Sequence, residues 1–209
     1  DIDRGLDALR QFLPLTSIDP SLHAFILDLA SWVLRNNFVS DPEGIVFRQI
    51  RGTAMGTPFA VVYATIFMII LEEPVVTRYA RDIAVYRRFI DDIFLLWTGS
   101  YDHLIDFITD LRSRDPLIQF TRVISSTSVD FMDMTLTIVG DHVETKTYQK
   151  AMNLYLYLPP TSAHPVGVIK GTIYGLLSRY YAQNTHRQDY LHFVSLLFTR
   201  LLNRGWKKD

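Results

Sequence analysis

The sequence predicts an α+β fold, because helical and strand patterns are mixed along its length without strict alternation. Apolar residues recur every three or four positions in segment 19–35, which is typical of an amphipathic helix. Segments 85–97 and 117–148 are instead rich in β-branched and aromatic residues, which is typical of strands. With 209 residues and a hydrophobic content of 48%, the chain can bury a sizeable core.

The first helices are predicted from their apolar spacing. An N-terminal helix carries Asp7 on its polar side, and a second begins at Asp19 and fades near Asn37. The apolar repeat of the second helix consists of Leu22, Phe25, Ile26, Leu29 and Val33. After it, the Asp-Pro-Glu-Gly turn at residues 41–44 predicts that segments 38–39 and 45–50 pair.

A third helix is expected to begin at Thr57 and Pro58, which form an N-cap and first-turn pair. Residues 59–71 are apolar all round, which predicts a helix that is buried on most faces. This stretch of thirteen residues is too short to span a bilayer.

The remaining elements follow from capping and turn residues. Ser100 is expected to cap a helix that ends near Asp115. Strands are expected between Leu117 and Tyr148, with a turn at residues 140–141. After a boundary at Pro159-Pro160, helices are predicted at residues 165–182 and 187–203.

Charge and cysteine content give weaker constraints. The chain contains no Cys, which excludes disulfides and thiolate metal sites. Its formal net charge is −1, but the part from Pro160 onward holds seven Lys and Arg against two Asp. This basic C-terminal part is either a surface that faces phosphates or a solvated helix face.

Two adjacent carboxylates, Asp91 and Asp92, lie between two apolar strand segments. The pattern predicts a tight β-hairpin with the Asp pair as its two-residue connection. Two like charges repel, and Asn-Gly or Asp-Gly would make the turn without that cost. A hard divalent cation such as Mg²⁺ removes the repulsion. The pair is therefore a candidate metal site, although Asp is also common in ordinary turns.

A glycine-containing loop precedes the third helix. Gly52 and Gly56 allow positive φ or a close approach of a ligand to the backbone. A loop of this kind at a helix N-terminus can hold an anion, and it can equally be only a turn and a cap.

Together these segments resemble the reverse transcriptases, in particular those of Penelope-like elements, a group related to telomerase. Residues 49–58 are similar to that group's Gln-x-x-Gly-Thr-Ala-Met-Gly-Thr segment, and residues 63–68 to the Tyr-Ala-Asn-Ile-Phe-Met that follows it. Residues 89–92 are similar to the polymerase Tyr/Phe-x-Asp-Asp box. Further similar pieces follow in the same order at residues 120–121, 129–133, 147–150, 162–165 and 204–206.

The resemblance implies a reverse-transcriptase-like palm, a small antiparallel sheet backed by helices, with partial fingers in residues 1–159. It implies a helical thumb-like region in residues 160–209. The implied activity is RNA-directed DNA polymerisation by two-metal nucleotidyl transfer, with Mg²⁺ or Mn²⁺ as cofactor. The implied partners are an RNA or DNA template with its primer and a deoxynucleoside triphosphate, and a nuclear location would follow for a retroelement polymerase.

The resemblance also implies the roles of individual residues. Asp91 would bind the metal directly, and Asp92 would assist. The residues implied to contact the incoming nucleotide or the templating base are Gln49, Gly52, Thr53, Ala54, Met55, Gly56, Phe89 and Lys150. Lys146 is a further candidate, and both lysines have the alternative of facing solvent from a strand.

In this family the first catalytic carboxylate lies on a strand that precedes the segment resembling residues 1–12. We therefore expect that the chain begins after that strand, that Asp1, Asp3 and Asp7 are surface positions, and that the chain alone polymerises poorly. One alternative is a non-catalytic reverse-transcriptase-like module that binds nucleic acid, or that associates with another protein or a second copy through an open sheet edge. Another is a structural protein in which the Asp pair is only a turn. No membrane partner is expected.

Overall fold

The computed structural model describes residues 1–54 and 56–207, without the side chain of residue 166. Within these ranges it contains six α-helices and seven strands, which confirms the α+β class. The helices are α1 (Ile2–Phe12), α2 (His23–Arg35), α3 (Pro58–Arg78), α4 (Tyr101–Ser113), α5 (Val166–Gln183) and α6 (Arg187–Asn203). The strands are β1 (Phe38–Ser40), β2 (Val46–Arg48), β3 (Ile83–Phe89), β4 (Asp92–Trp97), β5 (Ser128–Phe131), β6 (Met134–Val139) and β7 (His142–Thr147).

The strands form three separate antiparallel sheets within the described residues, with orders β1-β2, β3-β4 and β5-β6-β7. The β1–β2 hairpin confirms the predicted pairing, and the side chain of Asp41 accepts hydrogen bonds from the Glu43 and Ile45 N–H groups in its turn. The expectation of strands from Leu117 onward is wrong for segment 117–127, because the first strand there begins at Ser128.

The chain divides into two compact units, Asp1–Phe120 and Thr121–Asp209. This division by packing falls within the predicted palm and not at Pro159. The boundary at 159/160 was predicted from the proline pair in the sequence, and the division of the chain by packing does not test it, so it stays a prediction.

The first unit contains two apolar clusters that share α3. In one cluster α3 contributes Tyr63, which packs against α1 and α2. In the other cluster Leu71 and Val75 of α3 pack with Phe107 and Leu111 of α4, over the inner side of the β3–β4 hairpin. The hairpin is therefore backed by two helices.

The third helix is longer and more exposed than predicted. It runs for 21 residues past Glu72 and Pro74 to Arg78. The expectation of burial on most faces is wrong, because α1 and α4 cover only part of its surface and leave Val61 and Val62 exposed.

By length and hydropathy α3 could cross a membrane, and 28% of its most apolar window is buried. The core helix of a soluble protein passes the same test. The prediction that this segment is too short to span a bilayer is therefore wrong, because the helix has 21 residues and not thirteen. The absence of a membrane partner stays a prediction.

The second helix buries a face that overlaps the predicted stripe only in part, since Ile26 of that stripe packs against the cluster that includes α1. Ala30 and Leu34 are buried against α1, whereas Phe25 and Leu29 of the predicted apolar stripe are exposed. The burial of the small Ala30 was not predicted, because the apolar stripe was identified from large residues alone.

The second unit contains the β5–β7 sheet with α5 and α6, whose predicted bounds are confirmed within one residue. Tyr180 of α5 and Phe193, Leu197 and Leu201 of α6 form its buried cluster. The side chain of Asn184 bonds Thr147 and so ties the end of α5 to β7.

Candidate nucleotide and metal site

The acidic hairpin turn is shifted by one residue from the predicted position. Phe89 pairs with Asp92 across the hairpin, so the two connecting residues are Ile90 and Asp91. The prediction that Asp91 and Asp92 together form the connection is wrong, because Asp92 is the first residue of β4.

Ile90 has φ of +52°. A tight hairpin turn with positive φ at its first connecting residue normally carries Gly there. A β-branched residue in this region is strained, and such strain persists only where surrounding contacts impose it.

Both carboxylates of the turn are exposed, and the neighbouring Phe89 is half exposed. Carboxylate oxygens are the donors that Mg²⁺ prefers, so the pair fits a hard divalent cation chemically. Within residues 1–54 and 56–207, no group of three or more His, Asp or Glu side chains lies together in a way that could hold a metal ion. The turn therefore supplies two carboxylates, and any further ligands would come from water, substrate or other protein groups.

A second hairpin in the chain has the same turn geometry without the second carboxylate. Phe131 pairs with Met134, Met132 has φ of +56°, and Asp133 follows it. Asp133 forms an ion pair with Arg179. This turn therefore forms with one Asp between its paired residues, and Arg179 neutralises that Asp. The position that corresponds to Asp92 in the second hairpin is occupied by Met134.

The acidic turn is supported from within the first unit by two residues that sequence reasoning missed. Arg88 donates a hydrogen bond from Nη1 to the Ile90 carbonyl oxygen at 2.7 Å, and it forms an ion pair with Glu72 of α3. The available sequence signal was the pair Glu72-Glu73 in a largely apolar helix, followed by the pair Arg87-Arg88 in a largely apolar strand.

The loop before α3 has the backbone conformation that its glycines predict. Gly52 has φ of +73° and Gly56 has φ of +87°. Thr57 caps α3 by accepting a hydrogen bond from the Ala60 N–H at 3.2 Å, as predicted. Pro58 has no N–H group and the Ala60 N–H donates to Thr57, so this end of α3 favours an anion mainly through the positive end of its dipole.

Gln49 is tied into the loop. Its Oε1 accepts a hydrogen bond from the Asn37 side chain, and its Nε2 donates to the Arg51 carbonyl oxygen at 2.7 Å. Its backbone N–H also bonds the Asn37 carbonyl oxygen at 2.9 Å. Gln49 therefore shapes the loop through both ends of its amide.

Thr53 and Ala54 line a cavity of about 170 Å³ between the loop and the end of α2. Trp32, Asn36 and Asn37 form the opposite side of this cavity. Met55 was also predicted to contact a nucleotide, and it lies outside the described residues.

The two lysine candidates belong to the second unit. Lys146 lies on β7 with an exposed side chain that pairs with Asp189 at 2.7 Å, which favours the alternative of a lysine that faces solvent from a strand. Lys150 lines a cavity of about 480 Å³ together with Tyr148, Arg179 and other residues of that unit.

Some cations of the basic C-terminal part, residues 160–209, are engaged within the second unit. Arg200 donates to Gln149 at 2.8 Å and lies 4.0 Å from the centre of the Tyr155 ring. Arg204 donates to the Tyr157 carbonyl oxygen at 3.0 Å. A phosphate-facing surface would therefore depend on other cations, such as Lys170 and Arg187.

Comparisons of the chain with protein-family models, with curated proteins and with solved structures found no match.

Proposed function

We propose that the chain is the catalytic core of an RNA-directed DNA polymerase that extends a primer by nucleotidyl transfer. The observation that carries the proposal is the exposed turn Ile90–Asp92, where backbone strain and two adjacent carboxylates coincide. Neither feature stabilises a hairpin, and strain of this kind is concentrated at functional sites.

Asp91 and Asp92 would hold Mg²⁺ or Mn²⁺ at the tip of the hairpin, with Asp91 as the direct ligand. When bound, a pair of such ions lowers the pKa of the attacking hydroxyl and stabilises negative charge on the transferring phosphoryl group. The carboxylates would fix where this charge stabilisation acts, because catalysis of phosphoryl transfer depends mainly on position and electrostatics.

The loop 49–57 would bind the incoming nucleotide. The positive end of the α3 dipole favours a phosphate at this point. Gly52 and Gly56 let the backbone approach the ligand, and the cavity lined by Thr53 and Ala54 supplies room beside it.

Two carboxylates are few for a pair of divalent ions with four positive charges. Because no third carboxylate joins them among the described residues, we expect the 209-residue chain to polymerise slowly. The formation of a ternary complex is therefore a sharper test than the rate of primer extension.

The test measures binding of a primer–template duplex by fluorescence anisotropy, with and without the complementary deoxynucleoside triphosphate and Mg²⁺. We expect the triphosphate and Mg²⁺ together to tighten duplex binding, and Asp91→Asn to abolish this gain without changing binding of the duplex alone. Asp133→Asn, in the second turn, is the matched control and should keep the gain. A gain that Asp91→Asn retains, or no binding of duplex at all, would refute the proposal.

The alternative is a non-catalytic module that binds nucleic acid or a protein partner. The exposure of the Asp pair without a third carboxylate among the described residues favours it. In the same experiment it predicts duplex binding that neither the triphosphate nor Mg²⁺ changes.

A further inference from the structure

Glu72 and Arg88 form a buried ion pair in the first unit. Their side chains are only 6% and 11% exposed, respectively. Arg88 donates from Nε to Glu72 Oε2 at 2.9 Å, and its Nη2 contacts Glu72 Oε1. One edge of the guanidinium therefore faces both oxygens of the carboxylate.

Such a pair is a poor way to stabilise a fold. Removing two charges from water costs about as much as their attraction returns, and well-packed apolar replacements are often equally stable. The cost is evident at Arg88, whose pKa burial lowers, while the negative charge of Asp91 raises it in part. The pair therefore needs an explanation other than stability.

The third contact of Arg88 supplies one. Its Nη1 donates to the carbonyl oxygen of Ile90, the strained residue that precedes Asp91. One planar guanidinium thus joins a buried carboxylate on α3 to the backbone of the acidic turn. Lys could not make these contacts together, because its ammonium lacks the planar fork.

Glu72 also connects the acidic turn to the loop 49–57, which we propose binds the nucleotide. It lies on α3, the helix that Thr57 caps directly after the loop, about four helical turns further on. α3 is one continuous helix, so the turn and the loop are both attached to the same element.

We infer that Glu72 and Arg88 are positioning residues that hold the acidic turn in the geometry required for binding a divalent cation. The inference rests on the proposed function and extends it, since neither residue touches the reacting atoms. Arg88 imposes the strained Ile90 conformation, and Glu72 fixes the orientation of Arg88.

The test replaces both charges at once, with Glu72→Met and Arg88→Met, so that no unpaired buried charge remains. The matched control is Arg78→Met, which removes an exposed ion pair between α3 and Asp110 of α4. Thermal melting shows whether each variant is folded. Arg88→Lys is a second variant, which keeps the charge and loses the fork.

The first readout is the turn itself and needs no activity. In methyl NMR spectra of the metal-free protein, we expect the Ile90 signal to shift in the double variant and in Arg88→Lys, and that of Ile26 in the α1–α2 cluster to stay. Arg78→Met should leave both signals unchanged. An unchanged Ile90 signal in the double variant would overturn the inference whether or not the chain is a polymerase.

The second readout is Mn²⁺ affinity in the presence of duplex and triphosphate, measured by electron paramagnetic resonance. We expect the double variant to lose about tenfold or more in Mn²⁺ affinity, as is typical when a group that supports a metal ligand is removed. The affinity for duplex alone should not change. Wild-type Mn²⁺ affinity in a variant with a shifted Ile90 signal would also overturn the inference. If wild type and Asp91→Asn bind Mn²⁺ equally, the proposed function itself fails.

Discussion

Ile90 has a backbone conformation that costs energy, and it lies next to the carboxylate that we propose binds the metal. A left-handed conformation costs an L-residue roughly 1–2 kcal/mol, and Gly at this position would avoid that cost. Met132 carries the same conformation in the second turn, so this chain accepts the strain at two hairpins. Only the turn at Ile90 combines it with two exposed carboxylates.

Because Ile90 is strained, we predict that Ile90→Gly changes the Mg²⁺-dependent binding of duplex much more than it changes stability. Relief of strain is offset by the greater freedom of Gly in the unfolded chain, so the free energy of unfolding should change by less than about 1 kcal/mol. The loosened turn should nonetheless lose most of the Mg²⁺-dependent gain in duplex binding. Met132→Gly is the matched control and should keep that gain. Equal gains in the two variants would mean that the conformation of Ile90 has no functional role.

The acidic pair itself could be predicted from sequence, because two adjacent Asp between apolar strands is a local signal. The one-residue shift of the turn could not, since it depends on which residues pair across the hairpin. Glu72 and Arg88 could not be paired either, because they lie on different elements and only packing brings them together.

At the scale of elements, α3 organises the first unit, since both apolar clusters and the loop depend on it. Its start could be predicted from Thr57 and Pro58. Its end could not, because Glu72 and Pro74 both suggest the end of an apolar helix. The helix continues because Arg88 neutralises Glu72 in the interior.

Thr57→Ala tests the joint between the loop and α3. Loss of the cap should cost about 1 kcal/mol of stability, measured by denaturant unfolding, and should weaken triphosphate binding because the loop loses its anchor. Ser100→Ala removes the corresponding cap of α4, where Ser100 accepts a hydrogen bond from the His103 N–H at 3.2 Å. It should cost similar stability without affecting triphosphate binding. If the two variants affected triphosphate binding equally, the loop before α3 would not be the site that binds the triphosphate.

In the second unit, His186 at the start of α6 bonds Glu144 of β7 at 2.8 Å. This hydrogen bond, with the charge of Glu144, raises the pKa of His186 above 6.5, and Asp189 adds to the shift. The same hydrogen bond lowers the pKa of Glu144 below 4.5, with a further contribution from His142.

The two shifts define a window of pH in which the contact stabilises the unit. The contribution of His186 is complete below its ordinary pKa and is lost as pH rises through the raised one. The contribution of Glu144 is present above its ordinary pKa and is lost as pH falls through the lowered one. The difference in melting temperature between wild type and His186→Gln should therefore be largest between pH 4.5 and pH 6.5, and it should shrink as pH rises through the raised pKa of His186. A difference that does not vary with pH would contradict the assignment.

At the scale of the whole molecule, the chain consists of two compact units, each with its own apolar cluster or clusters. Composition suggested a boundary at Pro159, because proline pairs interrupt helices and strands. The division after Phe120 depends on which segments pack together, and segment 121–127 carries no strong local signal such as Gly or Pro.

This division predicts where a protease cuts first. Arg122 is exposed and lies in a segment without helix or strand, next to Val123, which is 84% exposed. Limited trypsin digestion should therefore cleave first after Arg122 and leave two fragments, identified by mass spectrometry. First cleavage after Lys150 would indicate that the chain opens inside the second unit instead.

The central claim is that the turn Ile90–Asp92 holds a divalent cation. Its most direct test is a crystal structure of the protein with primer–template duplex, complementary triphosphate and Mn²⁺, with the metal located by anomalous scattering. The account predicts a manganese peak within about 2.2 Å of a carboxylate oxygen of Asp91, also in contact with the triphosphate. Manganese bound only to the triphosphate, with the carboxylates of Asp91 and Asp92 facing solvent, would contradict it.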